Sequence, residues 1–416
     1  MSLVRAVRPV PAADLDTDRA DGAAAVLRST TAVRERARYL LARARSGDSA
    51  WFGVDDDALS GAADEVTAVT RNRYPDLTIP YHSRWRHFEA GGIDRTAGLR
   101  ALGGPDGARA MIDLAVVSVL LDAGAGPAWS YDEAGQRFSR SEGLGVASWH
   151  AFSDGLFSSD PTDPLRSDAT GLASLDADRL AEAFQVGPSN PLVGLDGRAR
   201  VLHRLGEALA AQPEAFGPDG RPGGLFDLLA GNHSAIAAHD ILAQLLTSLS
   251  RIWLADNTIG DQPLGDCWPH PGVPGPGLTQ GWMPFHKLSQ WLTYSLLEPF
   301  EWAGVRVEGL DALTGLPEYR NGGLLLDTGV LTLHEPDWAT REWAVGDELV
   351  VEWRALTVAL LDELAPLVRT RLGVDERRMP LACVLEGGTW AAGRALAQRL
   401  RGGLPPLTIT SDGTVF

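Results

Sequence analysis

Residues 79–95 read IPYHSRWRHFEAGGIDR. This stretch holds His82 and His87, Arg84, Arg86 and Arg95, Trp85 with Tyr81 and Phe88, and the acids Glu89 and Asp94. Guanidinium, imidazole and indole groups are costly to bury without partners. Arginine forks match carboxylate and phosphate bidentately. The stretch therefore suits a pocket wall for an anionic or polyhydroxy ligand. The plainer alternative is a solvated basic face anchored by Trp85 and Phe88. Three further clusters carry related chemistry. In Phe285-His286-Lys287-Leu288-Ser289-Gln290-Trp291, His286 and Gln290 are one helical turn apart, as are Lys287 and Trp291. From Asp311 to Gly323, Glu318, Tyr319 and Arg320 stand in a turn, and Gly322-Gly323 permits close backbone approach. Glu352-Trp353-Arg354 opens an apolar helix. Each has a structural alternative: a surface ion pair for Glu318 and Arg320, a solvated Lys287, a buried network for Glu352 and Arg354.

Many chemistries lack their residues. No G-x-G-x-x-G follows a strand, and there is no Walker loop, no G-x-S-x-G elbow and no H-E-x-x-H. His82 and His87 are five apart, and His233 and His239 six, so neither pair shares a helical face as metal ligands do. The two cysteines, Cys267 and Cys383, have no C-x-x-C spacing, which argues against a disulfide framework or a zinc site. The expectation is chemistry by carboxylate, His, Arg, Lys and Tyr, without metal or cofactor. A net charge of −17 argues against nucleic acid and anionic membrane as partners. The opening MSLVRAVRPVPAADLD lacks the apolar core of a secretory signal, and the longest apolar run, 114–126, is too short to span a bilayer. A cytoplasmic protein with a small-molecule partner is expected.

The elements that position these residues are mostly helical. Ser29 can cap a helix to about residue 46, and Asp55-Asp56-Asp57 opens another with Leu59, Ala62, Val66 and Val69 at helical spacing. Pro80 predicts a helix over 81–90 that Gly91-Gly92 ends. Gly103-Gly104-Pro105 is a break, 108–121 reads as a buried helix containing Asp113, and Asp122 sits in a glycine turn. Residues 127–157 read as a loop whose aromatics, Trp129 and Trp149 among them, either line a pocket or pin the loop to the core. Helices are predicted over 198–211, 234–254, 285–302, 348–367 and 388–400. The Pro/Gly-rich 257–281 reads as a functional loop or lid. Hairpins are predicted about Asp327-Thr328-Gly329 and about Asp412-Gly413. The class is mostly α with small β-hairpins, a single large unit over 1–416 or two lobes, 1–172 and 173–416.

IPYHSRWRHFEAGGIDR, TGLPEYRNGGLLLDTGVL and VEWRALTVALLDEL, in that order, closely resemble the uracil catabolism protein 4 family, long catalogued as a domain of unknown function. The resemblance covers nearly the whole chain. It implies a place in a pathway where uracil is ribosylated, its ring opened, and a ribosylurea formed on the way to urea. The order of segments is also similar to the queuosine salvage family, which hydrolyses the N-glycosidic bond of a nucleoside 5′-phosphate. That likeness implies an all-helical scaffold like that of helix-hairpin-helix DNA glycosylases. Phe285, Lys287 and Gln290 match its lysine-helix start, Leu313-Thr314 with Glu318-Tyr319-Arg320 its aspartate–tyrosine–arginine segment, and Glu352-Trp353-Arg354-Ala355 a third motif. The chain departs from it at Glu318, where that family has aspartate, at Ser295, and at Gly187-Pro188-Ser189.

These resemblances imply an N-ribosyl hydrolase acting on a ribosylurea-type nucleoside derivative or its 5′-phosphate. Such hydrolysis passes through an oxocarbenium-like state needing an anion, an activated water and a donor to the leaving nitrogen. Glu318 is expected to supply the anion or activate the water, with Tyr319, Lys287 or His82 as donor. Arg84, Arg86 and Arg95 are expected to hold a 5′-phosphate or the ribose hydroxyls. Asp122 with Trp129 or Trp149 would close the pocket. His87, His286, Gln290, Asp311, Arg320, Glu352 and Arg354 complete the expected ligand-binding set. An amidohydrolase on the ring-opened ureide, releasing ammonia and carbon dioxide, is the alternative enzyme. A non-enzymatic ligand-binding partner of the pathway is the other alternative.

Overall fold

The computed structural model describes residues 14–231 and 233–410. Helices dominate, with six separate two-stranded pairings, three of which join segments distant in sequence; the described residues form no larger sheet. Several helices start and stop where local signals place them. Ser29 Oγ accepts from the Ala32 N–H and caps Thr30–Arg45. Asp55 Oδ1 accepts from the N–H groups of Asp57 and Ala58 before Ala58–Arg73. Gly103 and Gly104, at φ 62° and 55°, make the break between Ala97–Leu102 and Gly104–Leu120.

The buried helix Lys287–Trp302 packs on Gly104–Leu120 and Ala238–Ser248, and Glu348–Leu372 packs on Thr30–Arg45 and Ala58–Arg73. Tyr319–Asp327 lies against Trp390–Arg401. Their approach depends on Gly393, where an added Cβ would run into the Arg320 carbonyl. Gly322 likewise faces the Trp353 ring, with room for no Cβ (2.6 Å). Gly393→Ala is expected to cost about 1–3 kcal/mol in denaturant unfolding, as overpacking does, and to weaken ligand binding by displacing Arg320. One hydrophobic core runs from Val33 to Leu407, drawing on both halves of the chain.

Four local expectations give way to tertiary contacts. The helix expected over 81–90 shrinks to Trp85–Phe88, because the His82 N–H donates to the Ala382 carbonyl and the Arg84 N–H to Ser295 Oγ. Residues 127–157 hold a hairpin, Ser130–Glu133 with Gln136–Ser139, and the helix Arg140–Ser153. The hairpin expected about Asp327 is instead the helix Tyr319–Asp327, and Leu331–Leu333 pairs with the distant Phe52–Val54. The 234–254 helix is only Ala238–Ser248, since Ala235–Ala237 is a strand beside Arg306–Glu308. The Pro/Gly-rich 257–281 is pinned by the Thr258–Ile259/Gln262–Pro263 pair and by Cys267–Pro269 against Trp282–Pro284. Thr408–Thr410 pairs in parallel with Glu342–Ala344; the turn expected at Asp412-Gly413 lies outside the described residues.

Candidate functional site

A cavity of about 370 Å³ opens between the Asp122–Pro127 turn, the start of Arg140–Ser153, the first turns of Lys287–Trp302 and Tyr319–Asp327, and the 403–409 segment. Its size is that of small-molecule sites.

Glu318 stands at the N-cap of Tyr319–Asp327. Its Oε2 accepts from the Arg320 N–H at 2.7 Å and its Oε1 from the Asn321 N–H at 2.6 Å. Burial pushes the carboxyl above the usual carboxylate range, while those two amides and Lys287 oppose the rise. Lys287 lines the same cavity at the first turn of its helix. Burial lowers its pKa from the ordinary lysine value, against the pull of Glu318 and Asp122. Its backbone N–H donates to Asp266 Oδ2 at 2.9 Å. Tyr319 keeps its proton because burial raises the phenol.

His82 lines the cavity between Trp291 and Trp390, with ring centroids 6.4 and 6.5 Å away. Its Nδ1 lies 2.9 Å from Glu386 Oε2, which fixes the ring orientation. Glu386 sits in the π-helical turn Leu385–Thr389 and also takes Arg73 and the Tyr74 hydroxyl. Burial works against its ionisation, but His82 and Arg73 hold it below the ordinary carboxylate value. A π-turn inside a helix often marks a functional position. His87 is a neutral imidazole: burial first, then Arg84 and His82, hold it well below the usual range.

Of the residues singled out from sequence, His82, His87, Asp122, Lys287, Glu318, Tyr319 and Arg320 line this cavity. Arg84 lies behind the wall, fully buried, 2.8 Å from Asp122 and 5.6 Å from the Trp291 ring centroid. Its guanidinium is taken up by Asp122, the Ser118 hydroxyl and the Ser141 carbonyl. The other two arginines expected to bind phosphate are held by carboxylates elsewhere. Arg86 pairs with Glu298 at 2.8 Å, and Arg95 forms a two-pronged bridge to Glu133. Trp129 is core, its indole N–H donating to the Phe184 carbonyl, and Trp149 packs against the core; neither lines the cavity.

His286 is buried with Nε2 2.9 Å from the Leu27 carbonyl, and Asp311 is exposed on the Leu310–Ala312 turn. Gln290 accepts from the Thr314 N–H behind the wall. Arg354 holds Asp266 with two 2.7 Å bonds, beneath Lys287. Glu352 binds Ser49 and lies 3.1 Å from His270 Nε2. With Glu348 these two make the grouping of acids and histidine in cation-binding reach among the described residues. His270 Nδ1 lies 3.1 Å from the Gly272 N, and the same carboxylates are already engaged, Glu352 by Ser49 and Glu348 by the Trp51 indole N–H.

Arg140, Ser141, Trp390 and the 403–409 segment also line the cavity. Sequence alone does not signal them: no motif surrounds Arg140, and the tail reads as a terminal hairpin. Arg140 has φ 56°, a left-handed backbone rare outside glycine and asparagine, which no composition pattern signals.

The Arg95–Glu133 bridge makes a separate prediction. Arg95 first, with help from His150, holds Glu133 down to about 2, from 4.5. A depressed carboxyl contributes stability above its unfolded value that fades as pH falls through its folded one. Arg95→Met is therefore expected to lower Tm at pH 7, to flatten its loss between pH 4.5 and 2, and to leave ligand affinity within about twofold.

No helix of the described residues is long and apolar enough to cross a membrane. Two curated proteins are similar along nearly their whole length. "Protein urg3" of Schizosaccharomyces pombe (strain 972 / ATCC 24843) is 39% identical over 405 residues, covering 94% of this chain and 98% of that protein. "Uracil catabolism protein 4" of Lachancea kluyveri is 36% identical over 440 residues, covering 95% of this chain and 99% of that protein. The family described as "Protein of unknown function (DUF1688)" matches residues 26–416, and the chain belongs to it.

Proposed function

We propose that this protein hydrolyses the N-ribosyl bond of a ribosylurea-type intermediate of uracil catabolism, or of its 5′-phosphate, to ribose (or ribose 5-phosphate) and urea. The observation that carries the reading is Glu318, clamped by two backbone amides within a cavity that it shares with Lys287, Tyr319 and His82. A mostly helical architecture supports it, being the kind of scaffold the queuosine salvage resemblance implies. The name of the Lachancea kluyveri relative supports the pathway.

In this mechanism the Glu318 carboxylate takes a proton from water as the water oxygen bonds to C1′. The C1′–N bond breaks, its electron pair goes to nitrogen, and Lys287 protonates the leaving urea. Glu318 and Lys287 fit these opposite roles because burial shifts their pKa values toward each other and toward neutrality. Negative charge at Glu318 and Asp122 stabilises the oxocarbenium-like ring. In this mechanism His82, steadied by Glu386, bonds the departing group; Trp291 and Trp390 add apolar wall to the same cavity.

The test is release of reducing sugar and urea from ribosylurea and its 5′-phosphate, with uridine, UMP and queuosine phosphate as controls. Equimolar sugar and urea are expected. Ammonia and carbon dioxide without sugar would replace this reading with the amidohydrolase. A pH profile adds a second check. The bell of kcat/KM is expected to rise above the ordinary carboxylate range and fall below the ordinary lysine range. Lys287→Gln is expected to remove the alkaline limb; a limb that persists would take the acid role from Lys287.

A further inference from the structure

Arg140 and Arg320 both line the cavity, and both reach one oxygen. Arg320 Nη1 lies 3.3 Å and Arg140 Nη1 3.5 Å from the Gly403 carbonyl, long and weak bonds for two cations. Neither is ion-paired to a carboxylate among the described residues, although the chain has 54 acidic against 37 basic side chains. Arg320 is 98% buried, at 2% exposure, and its Nε has no hydrogen-bond partner among the described residues. Burying the Arg320 guanidinium beside a second, partly buried one is unfavourable unless a ligand supplies an anion. Arg140 adds backbone strain at φ 56°, which a helix start does not otherwise require.

We propose that Arg140 and Arg320 form a phosphate subsite, and that the ligand of this cavity is a ribosyl 5′-phosphate in preference to the unphosphorylated riboside. The sugar part of this assignment rests on the N-ribosyl reading above; the anion part does not. A phosphate monoester offers three oxygens, enough to bridge both guanidinium forks and take the unused Arg320 Nε. Arg320 follows Glu318 by two residues, so one helix start holds both the reacting carboxylate and the phosphate anchor. Tyr319 lies between them, with the Arg320 guanidinium 4.8 Å from its ring centroid.

The experiment is calorimetric titration of the full chain with ribose, ribose 5-phosphate and inorganic phosphate in a phosphate- and sulfate-free buffer. Ribose 5-phosphate is expected to bind at least about tenfold tighter than ribose, as charge-assisted hydrogen bonds imply. Arg140→Gln is expected to remove most of that preference and Arg140→Lys to retain part of it. Arg140 is only partly buried, and a thermal melt of each variant checks the fold. Equal affinity for ribose and its phosphate, no binding of either, or a preference unchanged in Arg140→Gln would overturn the subsite. Inorganic phosphate binding as tightly as ribose 5-phosphate would overturn the sugar phosphate assignment. These titrations need no turnover. Arg140-dependent binding without hydrolysis of ribosylurea 5′-phosphate would sink the hydrolase and keep the subsite.

Discussion

Glu318→Gln lowers kcat by roughly 10²–10⁴-fold, the scale of a lost general base, and leaves ribose 5-phosphate binding within a few-fold. The substitution keeps volume and removes charge at the one carboxylate held by two backbone amides inside the cavity. It also changes the cap. The Gln amide nitrogen cannot accept from a backbone N–H, so one of the two cap bonds is lost, at about 1 kcal/mol. Denaturant unfolding run beside the kinetics separates the two effects. Glu318→Asp is the companion variant: it retains charge and capping but withdraws the carboxylate by one methylene, so activity should fall between wild type and Glu318→Gln. Wild-type turnover in a folded Glu318→Gln protein would remove Glu318 from the mechanism. Equal loss of stability and activity in both variants would make it only a helix cap.

Arg354→Met destabilises the fold by about 3–5 kcal/mol, the cost of stranding one member of a buried ion pair. The stranded group is Asp266, 4% exposed and bound by Arg354 through two 2.7 Å bonds. Asp266 also accepts from the Lys287 N–H and the Trp268 indole N–H, while its own carbonyl accepts from Phe285 and His286. This joins the Pro/Gly-rich segment to the start of the Lys287 helix. Burial resists ionisation of Asp266, yet Arg354 and these donors hold it below the usual 3.8. Its contribution is thus present above pH 3.8 and fades as pH falls through the depressed value, and Arg354→Met removes that acid sensitivity. The double variant Asp266→Leu/Arg354→Met is expected to recover part of the stability without full activity, because the side-chain bond that holds the Lys287 N–H is then gone. Chemical denaturation of the single and double variants gives the coupling. A loss under 1 kcal/mol in Arg354→Met, or full activity in the double variant, would contradict this account.

The candidate site was partly legible before folding. Glu318, Tyr319, Arg320 and Lys287 stood out through their clustering and the motif resemblance, and all four line one cavity. Asp122 was legible as a carboxylate in a glycine turn. The 79–95 stretch was legible as polar and costly to bury, and it supplies His82 and His87. The ion pairs of its arginines are not legible there, because their partners lie far along the chain: Arg86 with Glu298, Arg95 with Glu133, Arg84 with Asp122. A guanidinium satisfied by a protein carboxylate is indistinguishable in sequence from one awaiting a ligand.

By itself, the sequence determined what local physics controls. Ser29 caps its helix by reaching three residues ahead, Gly103-Gly104 breaks a helix through its own positive φ, and the apolar run through 108–121 buries wherever a core exists. The tertiary structure decided everything that depends on who meets whom. It replaced a helix over 81–90 with a short turn, because Ala382 and Ser295 took the backbone hydrogen bonds. It set Glu386 on His82, 304 positions away, and turned an expected hairpin into the helix that Glu318 caps. It also brought Arg140 and Arg320 to one carbonyl, with no carboxylate paired to either among the described residues. Capping and periodicity act over one or two helical turns, whereas charge pairing and strain are settled only when distant segments pack.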